Sequence, residues 1–349
     1  MATDRDAATR TSVRIGREHP APPASGARRP ARRLGLISGA AVLAGALAAV
    51  AVLPASGAAG RAGAAVLTNC AATPSACGYP DATNTGVPSG MTLKTVPSQV
   101  SSGPGWSYNA SGGDVVVTGN GTVLSGLYIP YNLVIEASDV TVDDVEVVSG
   151  GMFGISLAHT TNVTIENSTI SGQNSTTGRV GYAIDDVYGD STGMVINADN
   201  ISYFKTAIQM NTGLIENNYI HAPGYVAGDH TNGIFDNGGT EPMTIENNTI
   251  FNDLTQTDDI SLDSESSGSP VANKTIENNF LAGGSYSIYG GNSLSNTISN
   301  IVIQGNRFGQ LYFSLGGQYG PAAYFATTGT GNVWSGNFWD TTGQAITAP

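Results

Sequence analysis

A six-residue phrase recurs along this chain and limits what it can fold into. It has one apolar residue, another five positions later, and a small residue at the third step. The copies are "VDDVEV" from Val142, "IENSTI" from Ile165, "INADNI" from Ile196, "IENNYI" from Ile215, "IENNTI" from Ile245, "IENNFL" from Ile276 and "IQGNRF" from Ile303. A second phrase runs ahead of most of these, built around Ile155, Ile184, Ile208, Ile234, Ile260 and Ile288, at spacings of 29, 24, 26, 26 and 28 residues. Each repeat then holds two or three short strands with alternating inward apolar positions, divided by Gly, Asn, Asp and Ser turns. A lone repeat buries nothing, but stacked repeats set Ile over Ile and make a continuous core. The third-step column reads Val145, Ser168, Asp199, Asn218, Asn248, Asn279, Asn306. Its asparagines are placed to bond amide to amide along the stack. Propeller blades of four strands and leucine-rich repeats fit neither the period nor the residue types. The expected class is all-β, a parallel β-helix solenoid.

Composition agrees, because 46 glycines and only 12% charged residues suit short strands and many turns better than surface helices. The chain divides into an export segment (1–63), an N-terminal cap (64–112) and the β-helix domain (113–349). Residues 1–34 are basic, "LISGAAVLAGALAAVAVLPA" is apolar, and small residues follow, which is the recipe of a secretory signal. Arg32 and Arg33 point to twin-arginine export beside the general secretory route. The alternative is a retained anchor, since an apolar run of about 20 residues can span a bilayer. Nine of the 14 basic residues lie in 1–63 with three of the 27 acids, so the exported chain carries 5 basic against 24 acidic residues. So acidic a surface repels nucleic acid and anionic lipid, and neither is expected as a partner. Export also makes a disulfide the natural state of Cys70 and Cys77, closing a loop in the cap.

The coil phrases, together with "GDHTNGIFDNGG", "YSIYGGNS" and "GNVWSGNFWD", resemble right-handed parallel β-helix proteins of the pectin-lyase-like superfamily, in particular secreted actinobacterial members. The resemblance covers about 113–349. It implies a right-handed single-stranded solenoid, and among activities it spans polysaccharide lyases, glycoside hydrolases, sugar epimerases and noncatalytic fibres.

With the second-phrase isoleucine inward, its two neighbours should face solvent on one long sheet. The following position reads Ser156, Asp185, Gln209, Phe235, Ser261, Tyr289, and the preceding one adds Asp259. Gln209, Asn211, Phe235, Asn237 and Tyr289 are thereby expected to line a groove for an extended, hydroxyl-rich chain, although solvated turns would carry similar residues. Asp236 in one coil and Asp259 or Asp263 in the next would set carboxylates about 5–10 Å apart, the separation glycosidic hydrolysis uses. His230 is placed to orient a carboxylate or move a proton, with Asp185 in support. The "DD" pairs at 185–186 and 258–259 are of the kind found in polygalacturonase-like hydrolases of that superfamily. A lyase would instead need a base, for which Lys205 is the candidate, and Ca2+, for which Asp185, Asp186 and Asp190 are the candidate ligands. Scarce positive charge favours a neutral or weakly charged glycan. The expectation is thus a secreted enzyme hydrolysing a polysaccharide, with no cofactor required. A Ca2+-assisted polysaccharide lyase and a noncatalytic glycan-binding β-helix are the alternatives. The oligomeric state is left open.

Overall fold

The computed structural model of the protein describes residues 69–263, 269–292 and 298–349, apart from the side chains of Asp263 and Asn292. The export segment expected at 1–63 lies outside the described residues. The described chain is all-β, with two short 3-10 turns at Cys70–Ala72 and Pro74–Cys77 as its helical elements. Three sheets, of nine, ten and eleven strands, stack into a β-solenoid, their pairings parallel except among the first three strands of the largest. The first sheet takes the opening half of the recurring phrase, the second its closing half, and the third the isoleucine phrase.

The phrase folds as it does because each position has a different task. Its opening residue is buried on the first sheet, in register from Leu124 through Val142, Ile165, Ile196, Ile215, Ile245, Ile276 and Ile303, and the column ends at the partly buried Trp334. Two steps on, the backbone is left-handed at Gly126, Asp144, Asn167, Ala198, Asn217, Asn247, Asn278, Gly305 and Gly336, with φ between 48° and 66°. Gly, Asn and Asp visit this region at least cost, and the kink carries the chain around a corner onto the second sheet. The two asparagines of "ENN" therefore differ in kind. The first makes the turn, and the second points inward and is wholly buried at Asn218, Asn248, Asn279 and Asn306.

Those buried amides form the ladder the repeat suggests. Asn248 is typical: its Oδ1 accepts from the backbone and side-chain amides of Asn218 at 2.9 and 3.0 Å. Its Nδ2 donates to Asn279 Oδ1 at 3.0 Å and to the Ile215 carbonyl at 2.9 Å. The same pattern continues through Asn306 to Asn337. Copies of the phrase thus extend to "LSGLYI" from Leu124 and "WSGNFW" from Trp334, where large aromatic or glycine substitutions hide the pattern. Behind the corner, the second-sheet residues Ile129, Val147, Ile170, Ile201, Ile220, Ile250, Leu281 and Phe308 close the core, all at most 1% exposed. Each such side chain contributes about 2 kcal/mol of burial.

The antiparallel strands Ser102–Gly103, Trp106–Asn109 and Asp114–Val117 cover the first coil of the third sheet. The Cys70–Cys77 disulfide is present, with Cα atoms 5.8 Å apart, but its loop lies at the other end of the solenoid. Cys70 N–H donates to Asp340 Oδ1, Tyr79 packs 5.4 Å from Phe280, and Cys70 joins Phe251, Phe280 and Ala282 in a second small core. From there the chain runs back along the outside of the second sheet, through Gly86 N–H to the Ala198 carbonyl and Val87 N–H to Thr169 Oγ1, before Lys94–Thr95 pairs with Leu127–Tyr128. Residues 69–93 are thus a strap over the second sheet. A strap covers apolar rings that would otherwise face water, including Phe251 and Phe280, which explains the aromatic residues on that outer surface.

Candidate active site

The third sheet breaks plain alternation, and this decides which side chains reach solvent. Its isoleucines align through Ile155, Ile184, Ile208, Ile234, Ile260 and Ile288, all inward. The residue before each isoleucine drops out of the ladder and also turns inward. Gly154, Ala183, Ala207 and Gly233 occupy that position in four coils. There is little room: a Cβ on Gly154 would stand 3.1 Å from an Ile170 methyl, and one on Gly233 2.6 Å from an Ile250 methyl. Outward positions are therefore the one after the isoleucine and the one two before it.

Asp259 belongs to the inward column, which corrects the expectation that it faces solvent. It is fully buried, and neither carboxyl oxygen has a hydrogen-bond partner, although Ser287 Oγ and the backbone of Asn252 and Ala282 lie near enough to favour the charge slightly. Burial, with the charge of the adjacent Asp258 adding to it, raises its pKa well above the ordinary carboxylate value and so favours the protonated form. Asp236 is also inward, in register with the core residue Leu262. Its Oδ2 lies 3.5 Å from Lys274 Nζ, both side chains are fully buried, and its Oδ1 accepts from Gly238 N–H at 3.1 Å. Lys274 donates to the Asn211 and Glu241 carbonyls at 2.5 and 3.1 Å, so this ion pair braces a corner. The carboxylate pair anticipated across neighbouring coils is not formed by Asp236 and Asp259. Asp263 pairs with Asn292 in the strand register, and its side chain lies outside the described residues.

What does line the outer face is Asp258, the other half of the second "DD" pair. It stands in register with Asn232, which stands in register with Thr206. With Tyr182, Lys205, Gln209, His230, Phe235, Ser261, Tyr289 and Tyr324 these residues bound an open cleft of about 470 Å3. Thr257 Oγ1 donates to Asn232 Oδ1 at 2.7 Å, and Asn232 Nδ2 to Thr206 Oγ1 at 3.4 Å, so the floor is tied across coils. Lys205 Nζ lies 5.3 Å from the Tyr182 ring centroid, a cation held over a π face. His230 is exposed at the cleft rim, and Asp229 beside it is gripped by Arg179 through two contacts of 2.5 Å. That grip holds Asp229 well on the ionised side despite its burial.

The cleft thus gathers Lys205, His230, Gln209, Phe235 and Tyr289 as the sequence suggested. Asn211 and Asn237 line a smaller neighbouring hollow of about 270 Å3, where Asn237 N–H donates to Asn211 Oδ1. Asp185 faces outward, nearly buried, and burial followed by the charge of Asp186 raises its pKa to about 7. The Ca2+ set does not converge: Asp186 is bonded by Ser191 Oγ and N–H, and Asp190 by His159 Nδ1. Among the described residues no group of three or more His, Cys, Asp or Glu side chains is poised around a cation. His159 stacks on Tyr188, and His221 stacks on Tyr219 with its pKa lowered to about 4 by burial, both in structural settings. Asp258 was the carboxylate missed, along with Tyr182, Thr206, Asn232, Thr257 and Tyr324 of the cleft lining. The run of Gly and Ala before the isoleucines was the signal that the position of Asp259 is cramped and inward.

Fold and site together define a parallel β-solenoid with an open, aromatic-lined cleft on one flank. No protein-family model matches the chain, and no curated protein matches it.

Proposed function

We propose that the protein is an exported carbohydrate-active protein of pectin-lyase-like type, which binds a glycan in the third-sheet cleft and cleaves a glycosidic bond there by hydrolysis. One juxtaposition supports this reading: a carboxyl group, Asp258, on the floor of a cleft whose walls offer rings for sugar faces and amides for hydroxyls. In this reading Asp258 protonates the leaving oxygen. Asp185 is three coils away, about 14 Å at the usual strand spacing, which is too far for a second catalytic carboxylate. Activation of water therefore falls to His230, at the rim. Lys205, the lysine lining the cleft, favours a second reading, a lyase in which its neutral amine takes the proton from the carbon that bears the sugar carboxylate while the glycosidic oxygen leaves the adjacent carbon.

Incubation of the purified protein with a panel of glycans separates the readings. Reducing ends without ultraviolet absorbance of an unsaturated sugar mean hydrolysis, and both signals together mean a lyase. Retained binding without either signal removes the enzyme and leaves a glycan-binding solenoid. Asp258→Asn should lower turnover by at least about a hundredfold with the fold unchanged. Full turnover in that variant would refute the site.

A further inference from the structure

At the C-terminal end of the cleft four tyrosines meet. Tyr289 lies 5.5 Å from Tyr324 with the rings only 18° apart, Tyr286 meets Tyr289 edge-on at 5.5 Å, and Tyr319 lies 6.0 Å from Tyr286. Tyr319 and Tyr324 are 61% and 59% exposed, far more than core aromatics, so their outer ring faces are open to a ligand. Tyr324 also sits in left-handed backbone, with φ 58°, where glycine would be free of strain. For a residue with a side chain this costs about 1 kcal/mol. The bend sends the next residue, Phe325, inward against Gly290 and Trp334, and leaves the Tyr324 ring outside. An exposed ring kept at such a place calls for a use.

The charges around it narrow the ligand. Beyond residue 63 the chain has five basic residues. Arg179 is held by Asp229, Lys274 is buried with Asp236, and Arg307 is held by Asp340. Lys94 belongs to the second sheet, so among the described residues Lys205 is the one lysine or arginine that reaches the cleft. A glycan with a carboxylate on every unit would meet one cation, one carboxyl group and a strongly acidic protein. Such a chain is repelled.

Resting on the glycan reading above, we propose that Tyr286, Tyr289, Tyr319 and Tyr324 form a stacking subsite for the apolar faces of uncharged sugars, and that the substrate is a neutral polysaccharide. Hydrogens on one face of a pyranose make it apolar, and the tyrosine hydroxyls at the ring edges reach its hydroxyl groups. Binding then depends on ring area and hardly on salt.

The test is calorimetric titration of the full protein with neutral oligosaccharides (β-glucan, xylan, mannan and galactan series) and acidic ones (galacturonate and alginate series), at low and high salt. A neutral series should bind, little changed by salt, with affinity reduced about tenfold in Tyr324→Ala and regained in Tyr324→Phe. Tyr324→Gly relieves the backbone while removing the ring, so the same loss there excludes misfolding as its cause. Preference for an acidic series, weakened by salt, would overturn the neutral-substrate proposal and leave the glycan reading standing. Neutral binding unaffected in the alanine variant would remove the subsite. No binding by any series, in a protein that unfolds normally, would overturn the glycan reading itself.

Discussion

Two regions of the solenoid bury polar groups equally deeply and use them in opposite ways. At the corner between the first and second sheets, Asn218, Asn248, Asn279 and Asn306 have no exposed surface, and their amides are matched to neighbours above and below. On the third sheet, Asp259 is equally buried, yet neither oxygen is matched, and Asp185 leaves one oxygen without a partner. Buried polar groups stabilise a fold only when satisfied. The corner is where repetition stores stability, and the third sheet is where the chain tolerates poor local energetics beside its cleft.

The sharpest way to break this contrast is to damage the corner. Asn248→Ala removes the acceptor of the Asn218 backbone and side-chain amides, and the donor to the Ile215 carbonyl and to Asn279. It leaves buried groups on both sides unmatched, for a loss of about 3 kcal/mol in denaturant unfolding. A loss below about 1 kcal/mol would mean that the ladder relaxes and that matching is not what holds the corner.

A smaller effect distinguishes the regions by pH. On the third sheet Asp185 and Asp259 have raised pKa values, from burial first, and at the corner the one carboxyl in the ladder, Asp199, shares that shift while its asparagine neighbours do not titrate. Above the ordinary carboxylate value the unfolded chain releases these protons while the folded chain keeps them, so stability is full below that value and falls as pH rises. For Asp185 the fall runs from 3.8 to about 7. Each group contributes up to about 1.4 kcal/mol per pH unit within its window. Asp81, lowered to about 2, acts oppositely, its contribution being lost only as pH falls below 3.8. Denaturation midpoints should therefore drop between about pH 4 and about pH 7, and Asp259→Ser, which suits the small-residue column, should flatten the slope. A midpoint that rises across this range would show that the third sheet has matched its carboxyls after all.

The unequal legibility of the two regions has the same origin. Each coil imposes the same demands at the corner, an inward Ile, a left-handed turn and an inward amide, so "IENN" announces itself and the sheet register follows from it. The third sheet has a constant demand only at its isoleucine. There the alternation rule placed Gln209, Phe235 and Tyr289 outward, as found, but failed one residue earlier, because a bend puts two successive side chains inside. That error exchanged Asp259 for Asp258. Asp236 was misplaced for a related reason: its carboxylate is buried at an inward step by a lysine, Lys274, that arrives from the next coil, and no local pattern reveals such a partner. The strap was equally hidden, since nothing near Cys70 says that it meets Asp340, 270 residues away.

The corner itself contains one lapse, and it gives the finest test of the rule. Ala198 takes the left-handed turn, at φ 57°, where most coils have asparagine or glycine. The next residue, Asp199, stands in the ladder with Oδ1 accepting from Ser168 N–H at 2.7 Å and Oδ2 without a partner. This coil is the weakest rung by both criteria. Ala198→Asn should relieve the turn and add about 1 kcal/mol, because Asn pays less than Ala for this backbone. Asp199→Asn should add a similar amount at neutral pH, as an amide carries its donor at every pH, whereas the buried carboxyl donates only by holding a proton that the unfolded chain would release. If the turn and the ladder are separate devices, the two gains add in the double variant. Gains that fail to add would show that the left-handed residue and the inward amide stabilise the corner as one unit, with the turn setting the geometry each rung of the ladder needs.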